Sequence, residues 1–195
     1  MIFNQFSFVF VFLPLVLAAF YFPRAENLRV PVLIVASFVF YGVSGIQHAV
    51  MLLAVTVWVH LLTREPGMKG SRTRLIAAIA PPLLALVYCK YMGFLLSPFA
   101  MIAGSPPETF SFLTGILLPA GISFYTFHLL SFAIDRYRGD IPQAPSFGRF
   151  AVYITFFPQL VAGPIVRYHQ MAGYLERLTR FRLTTGDAAR SIAYV

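Results

Sequence analysis

Long apolar stretches alternate with short polar connections along this chain, and most of the stretches carry no formal charge. The first, residues 6–22, predicts a helix with Pro14 as its kink. Residues 30–62 hold no Asp, Glu, Lys or Arg, and the stretch is too long for one straight crossing of a ~30 Å hydrocarbon core. Gly42, Ser44 and Gly45 divide it near the middle, which predicts a tight helical hairpin with arms at Val30–Tyr41 and Ile46–Leu62. The next stretch, Leu75–Ala103, is interrupted by Pro81-Pro82. Two adjacent prolines remove two backbone donors, so a break or a helix restart is expected there. Lys90, between Tyr88 and Tyr91, reads as a lysine snorkelling to an aromatic interface belt. A Gly/Pro/Ser loop at 104–109 leads to a further span, Leu113–Ile134. Phe147–Leu160 is short for a crossing and has Pro158 near its end, so it predicts a re-entrant or half-depth segment. An Arg-rich amphipathic tail follows it.

Composition agrees with a bilayer as the solvent. With 58% apolar and 11% charged residues, the chain holds more apolar surface than a soluble fold of this size can hide. The expected fold is an all-α polytopic membrane protein forming a single embedded domain over 1–195. It has about five transmembrane helices, the re-entrant segment and a cytoplasmic amphipathic tail. The net charge of +8 could suggest nucleic acid, but the charges sit in short loops, which suits membrane orientation better. All of the 15 Lys and Arg residues except Lys90 fall on one side, if the N-terminus is extracytoplasmic and Phe147–Leu160 does not cross. No basic residue precedes the first apolar stretch, so it reads as a retained span rather than a cleaved leader. Cys89 is the single cysteine, which rules out an intramolecular disulfide.

Two stretches hold polar groups that a mere anchor would avoid, because each needs a partner or water inside a bilayer. The first is Leu118–Arg138. At 100° per residue, Gly121, Phe124, Tyr125, His128, Phe132 and Asp135 share one face of a helix, with Ser131 beside them. Ile122, Leu129, Leu130, Ala133 and Ile134 fall on the opposite, lipid-compatible face. Tyr125 and His128 then either bond to neighbouring helices or line a polar pocket. The second stretch is Phe156–Arg167. Pro158 and Pro164 free backbone carbonyls, Gly163 permits unusual dihedrals, Gln159 can satisfy groups left open, and Arg167 is placed for an anionic group at the rim. His48 and His60 lie near the ends of one hairpin arm, where interfacial exposure would account for both. His169 is open to either reading. No histidine or cysteine spacing suits a metal site, and no nucleophile elbow or phosphate-cradling glycine loop occurs.

LPAGISFYTFHLLSFAIDRYRG and YITFFPQLVAGPIVRYHQM resemble the paired motifs of the membrane-bound O-acyltransferases, in the bacterial branch that includes the alginate O-acetyltransferases and the D-alanyl-lipoteichoic acid exporters. The opening MIFNQFSFVFVFLPLVLAAFYF and the Lys90-Tyr91 region are similar to that branch as well. The resemblance implies acyl transfer, most simply of acetyl, in the bacterial inner membrane. A cytoplasmic thioester (acetyl-CoA or an acyl carrier) would be the donor substrate, with no bound cofactor. The acceptor would be a hydroxyl of an extracytoplasmic polysaccharide such as alginate, or a partner acetyltransferase. Tyr125, His128, Gln159 and Arg167 would be substrate-binding wall and rim residues. At His128 the branch commonly has glutamine, so no catalytic role passes to that histidine. The family's essential histidine follows a Trp-Arg-rich motif in a later segment, beyond Val195, so this chain reads as the N-terminal portion of a longer enzyme. The residues also leave open a transporter or channel subunit, or a non-catalytic membrane scaffold.

Overall fold

The computed structural model describes residues 6–21, 28–102, 119–164 and 166–178, and among them every regular element is helical. A π-helical turn at Phe8–Phe12 runs into α1 (Leu13–Tyr21). The wide turn lets the Leu13 amide bond to the Phe8 carbonyl just ahead of Pro14, which has no amide to give. The hairpin forms as expected, with α2 at Arg29–Gly42 and α3 at Ile46–Arg64. After a short 3₁₀ turn, Pro66–Met68, comes α4 (Arg72–Ile102). α5 (Ile122–Arg138), α6 (Phe147–Thr155), α7 (Phe157–Ala162) and α8 (Tyr168–Arg177) complete the set.

The double proline does not break α4, which runs unbroken through it. An amide at position 81 would bond to the Ala77 carbonyl; proline cannot, and Trp58 Nε1 from α3 donates to that oxygen at 2.9 Å instead. A neighbouring helix replaces the missing donor.

Of the expected spans, α3 and residues 72–92 of α4 are long and apolar enough to cross a membrane, while Phe8–Tyr21 and Arg29–Gly42 are shorter apolar helices. The described part of the Leu113–Ile134 span is α5; its residues 113–118 lie outside the described residues. So do the 104–109 loop, Arg24, and the tail beyond Leu178 with Arg180, Arg182 and Arg190.

The polar loops gather at one end of the bundle. Gly70 N–H donates to the Tyr137 carbonyl at 3.0 Å, so the α3–α4 connection sits on the end of α5. His60 stands edge-on to Phe147 at the start of α6 (5.3 Å between ring centroids), and Arg29 Nη1 reaches the Leu178 carbonyl after α8 at 3.3 Å. At the other end, Tyr41 donates to the Ala120 carbonyl.

Between the two ends, α6 and α7 go in and come back. α6 starts at the loop-rich end and is enclosed, with residues 150–155 each 2% exposed or less. α7 is clamped to the π-helical turn and α2: Phe157 packs against Phe8, Phe12 and Phe40, and its amide donates to Ser37 Oγ at 3.3 Å. Its Leu160 carbonyl lies where a Cβ on Gly121 would stand, 2.5 Å away, and Gly121 has φ 69°. No residue with a side chain fits that junction. The chain then returns through Gly163 to Arg167, beside Asp135 at the loop-rich end.

Candidate functional site

α5 positions the polar groups. Gly121 starts it, Gly139 ends it in the left-handed region, and the side chains between are held by α3, α4, α6 and α8. The face expected from helical spacing is inside: Tyr125 and His128 are 1% exposed, Phe132 0% and Asp135 2%. The opposite face is not left to lipid as expected, since Ile122, Leu129 and Ala133 are buried too. Apolar side chains suit protein and lipid neighbours equally, and here α5 is ringed by helices on most sides. Only a narrow strip around Phe127 faces outward.

Aromatic rings wall the buried face. Tyr41 stands edge-on to Tyr125 at 6.5 Å, and Tyr153 lies against His128 at 5.3 Å. Tyr168 closes on Phe132 and Tyr153, each at 5.3 Å. Tyr153 is anchored by its hydroxyl, which donates to the Val166 carbonyl at 2.9 Å. By contrast, the Tyr125 hydroxyl and both ring nitrogens of His128 have no hydrogen-bond partner among the described residues. A buried polar group left so costs about 1–3 kcal/mol, which packing alone does not return. They are suited to meet water or a bound polar molecule.

Arg167 joins this face at its lower end. Its Nη1 lies 3.7 Å from Asp135 Oδ1, and its backbone amide donates to Gln170 Oε1 at 3.0 Å, fixing the entry to α8. Gln159 does what its sequence position suggested for the turn: its side-chain amide donates to the Pro164 carbonyl at 3.2 Å. Gly163 does not use the unusual dihedrals expected of it: its backbone is ordinary and extended (φ −86°), and it is small because a Cβ would fall 2.6 Å from Gln159 Cγ. Thus Tyr125 and His128 share the buried face of α5, Arg167 meets that helix at Asp135, and Gln159 braces the turn between α7 and α8.

The histidines of α3 differ from expectation. His48 and His60 are buried, 2% and 8% exposed, rather than interfacial. The turn at Gly45 folds over the first, and Phe147 and Phe150 sandwich the second. His169 is exposed. Lys90 is exposed with its ammonium over the Tyr91 ring at 5.4 Å, as a snorkelling lysine would be. Among the described residues no group of three His, Cys, Asp or Glu is placed to hold a metal ion. Sequence reasoning missed Tyr41 and Tyr153 as walls of the site; each is an isolated tyrosine in an apolar stretch, the same signal that singled out Tyr125.

No family model and no solved structure matches the chain. Curated proteins do. The chain is 34% identical over 185 residues to the probable alginate O-acetylase AlgI of Pseudomonas syringae pv. tomato, covering 92% of this chain and 35% of that protein. It is 36% identical over 184 residues to the protein of the same name from Pseudomonas aeruginosa, with the same coverage. A peptidoglycan O-acetyltransferase of Helicobacter pylori is 26% identical over 205 residues, covering 88% of this chain and 38% of that protein. The chain thus spans about a third of the length of the curated relatives it matches. Along that shared length, the chain is similar to proteins named as alginate O-acetylases and to one named as a peptidoglycan O-acetyltransferase.

Proposed function

We propose that this chain is part of a membrane-bound O-acetyltransferase that acetylates an extracytoplasmic polysaccharide such as alginate. The donor is a cytoplasmic thioester. The acceptor hydroxyl oxygen attacks the thioester carbonyl, the new C–O ester bond forms, the C–S bond breaks, and the thiol leaves. The acceptor proton passes to a general base, help typically worth 10²–10⁴-fold; by the family resemblance that base is a histidine outside this chain. The residues here bind and orient: Tyr125 and His128 hydrogen-bond the acyl-bearing group, Gln159 holds the re-entrant wall, and Arg167 offers charge at the rim. The protein is multi-pass in the bacterial inner membrane, with the N-terminus outside and the loop-rich end in the cytoplasm, where Arg64, Lys69, Arg136 and Arg138 sit.

One observation carries this reading: Tyr125 and His128 keep polar atoms buried, and unpartnered among the described residues, on a helix otherwise packed into an apolar bundle. The names of the relatives supply the reaction class. The test uses the complete protein in membrane vesicles with an acetyl thioester and deacetylated polysaccharide. Ester-linked acetyl on the polymer is expected, falling at least about tenfold in His128→Ala with membrane insertion retained. Solute flux with no acetyl ester formed would overturn the reading in favour of a transporter.

A further inference from the structure

The outward edge of α5 carries a groove of about 390 Å³. Phe127, Leu130 and Ile134 line it at helical spacing, so they form one apolar strip down that edge. Phe127 is 47% exposed. One turn beyond Ile134 the strip meets Arg138, and Arg167 closes the groove from the residue ahead of α8. Both arginines are exposed. The carboxylate on the wall, Asp135, is 2% exposed; Oδ1 holds Arg167 at 3.7 Å, and Oδ2 is buried without a hydrogen-bond partner among the described residues. The groove therefore combines an apolar strip two helical turns long with two converging cations, one of them held in place by a buried acid, at the end of the bundle where the basic loops gather.

We infer that this groove binds an anionic phospholipid, with one acyl chain along Phe127, Leu130 and Ile134 and the headgroup phosphate between Arg138 and Arg167. Two guanidinium forks can bracket one phosphate with paired N–H donors, which a lysine ammonium cannot do as well. A lone snorkelling arginine would need neither a second arginine across the groove nor a buried carboxylate behind it. Asp135 is a positioning residue: it sets Arg167 over the groove. The inference shares Arg167 with the acyl-transfer reading, but its apolar strip lies on the outer edge of α5 rather than on the buried face, and lipid retention is read without any acetyl transfer.

The test places the complete protein in phosphatidylcholine nanodiscs containing a minor fraction of phosphatidylglycerol, and counts retained lipids by native mass spectrometry. Phosphatidylglycerol is expected to be enriched on the protein. Arg138→Gln should lower the enrichment about fivefold, and adding Arg167→Gln should abolish it. Leu130→Trp, which fills the strip and leaves the charges, should lower it as well. Arg138 has an exposed side chain, so the single variant decides the matter if the double variant fails to fold. Unchanged retention in Arg138→Gln would overturn the proposal. So would the absence of phosphatidylglycerol enrichment together with binding of millimolar 4′-phosphopantetheine that is lost in Arg138→Gln, which would assign the arginines to the phosphate of a soluble donor.

Discussion

Arg136 donates its Nε–H to the carbonyl of Thr63 at 2.9 Å, joining the end of α5 to the end of α3. Nη1 reaches Ile141 at 2.6 Å and Nη2 reaches Glu65 at 3.3 Å, so one buried guanidinium serves three backbone carbonyls. Two of those carbonyls close α3, where the last turn has no partners of its own and favours a cation. In the sequence this arginine counts only as a topology charge. Arg136→Ala should lower stability by about 3 kcal/mol, because several buried carbonyls lose charge-assisted donors together. Arg136→Lys should recover less than half of that, since an ammonium cannot span the three acceptors. Thermal unfolding of the complete protein in detergent checks both.

The pairing of Trp58 with the Ala77 carbonyl makes a double-mutant cycle informative. Trp58→Phe should cost about 1 kcal/mol in the wild-type background, where Pro81 leaves that oxygen to the indole. In a Pro81→Ala background the helix supplies its own amide, and the same substitution should cost little more than the change in packing. Equal costs in both backgrounds would show that the indole is held by packing alone.

Gly121 and Gly42 give opposite expectations. Alanine at 121 would place a Cβ against the Leu160 carbonyl in left-handed backbone, so it should destabilise by about 2 kcal/mol and lower acetyl transfer with it. At 42 nothing lies within 4 Å of a new Cβ, and the helical position should gain up to about 1 kcal/mol. Melting temperatures of the two variants, measured side by side, settle the contrast.

Tyr125→Phe separates packing from chemistry. The hydroxyl has no hydrogen-bond partner among the described residues, so its loss should leave the melting temperature unchanged or slightly raised. Acetyl-ester formation should nevertheless fall about tenfold if that hydroxyl meets the transferring group. A stable variant with full activity would make Tyr125 a packing residue.

What was legible in the sequence was local. The Gly42–Gly45 turn set the hairpin ends to within two residues, and helical spacing identified the buried side of α5 through Tyr125, His128, Phe132 and Asp135. What was not legible depended on partners far along the chain. Continuity through Pro81-Pro82 needs Trp58, the burial of His60 needs α6, and the enclosure of Ile122, Leu129 and Ala133 needs helices that any apolar position would equally accept. At the site, Gln159 and Arg167 stood out by polarity alone, whereas Tyr41 and Tyr153 became visible as walls only once α2 and α6 were placed beside α5.

The in-and-out course of α6 and α7 has a bookkeeping effect on membrane topology. Because Phe147 and Arg167 lie at the same end of the bundle, the excursion contributes zero to the parity of crossings. Reporter tags inserted near Ala144 and near Leu178 would therefore register the same compartment, even though a strongly apolar segment separates them.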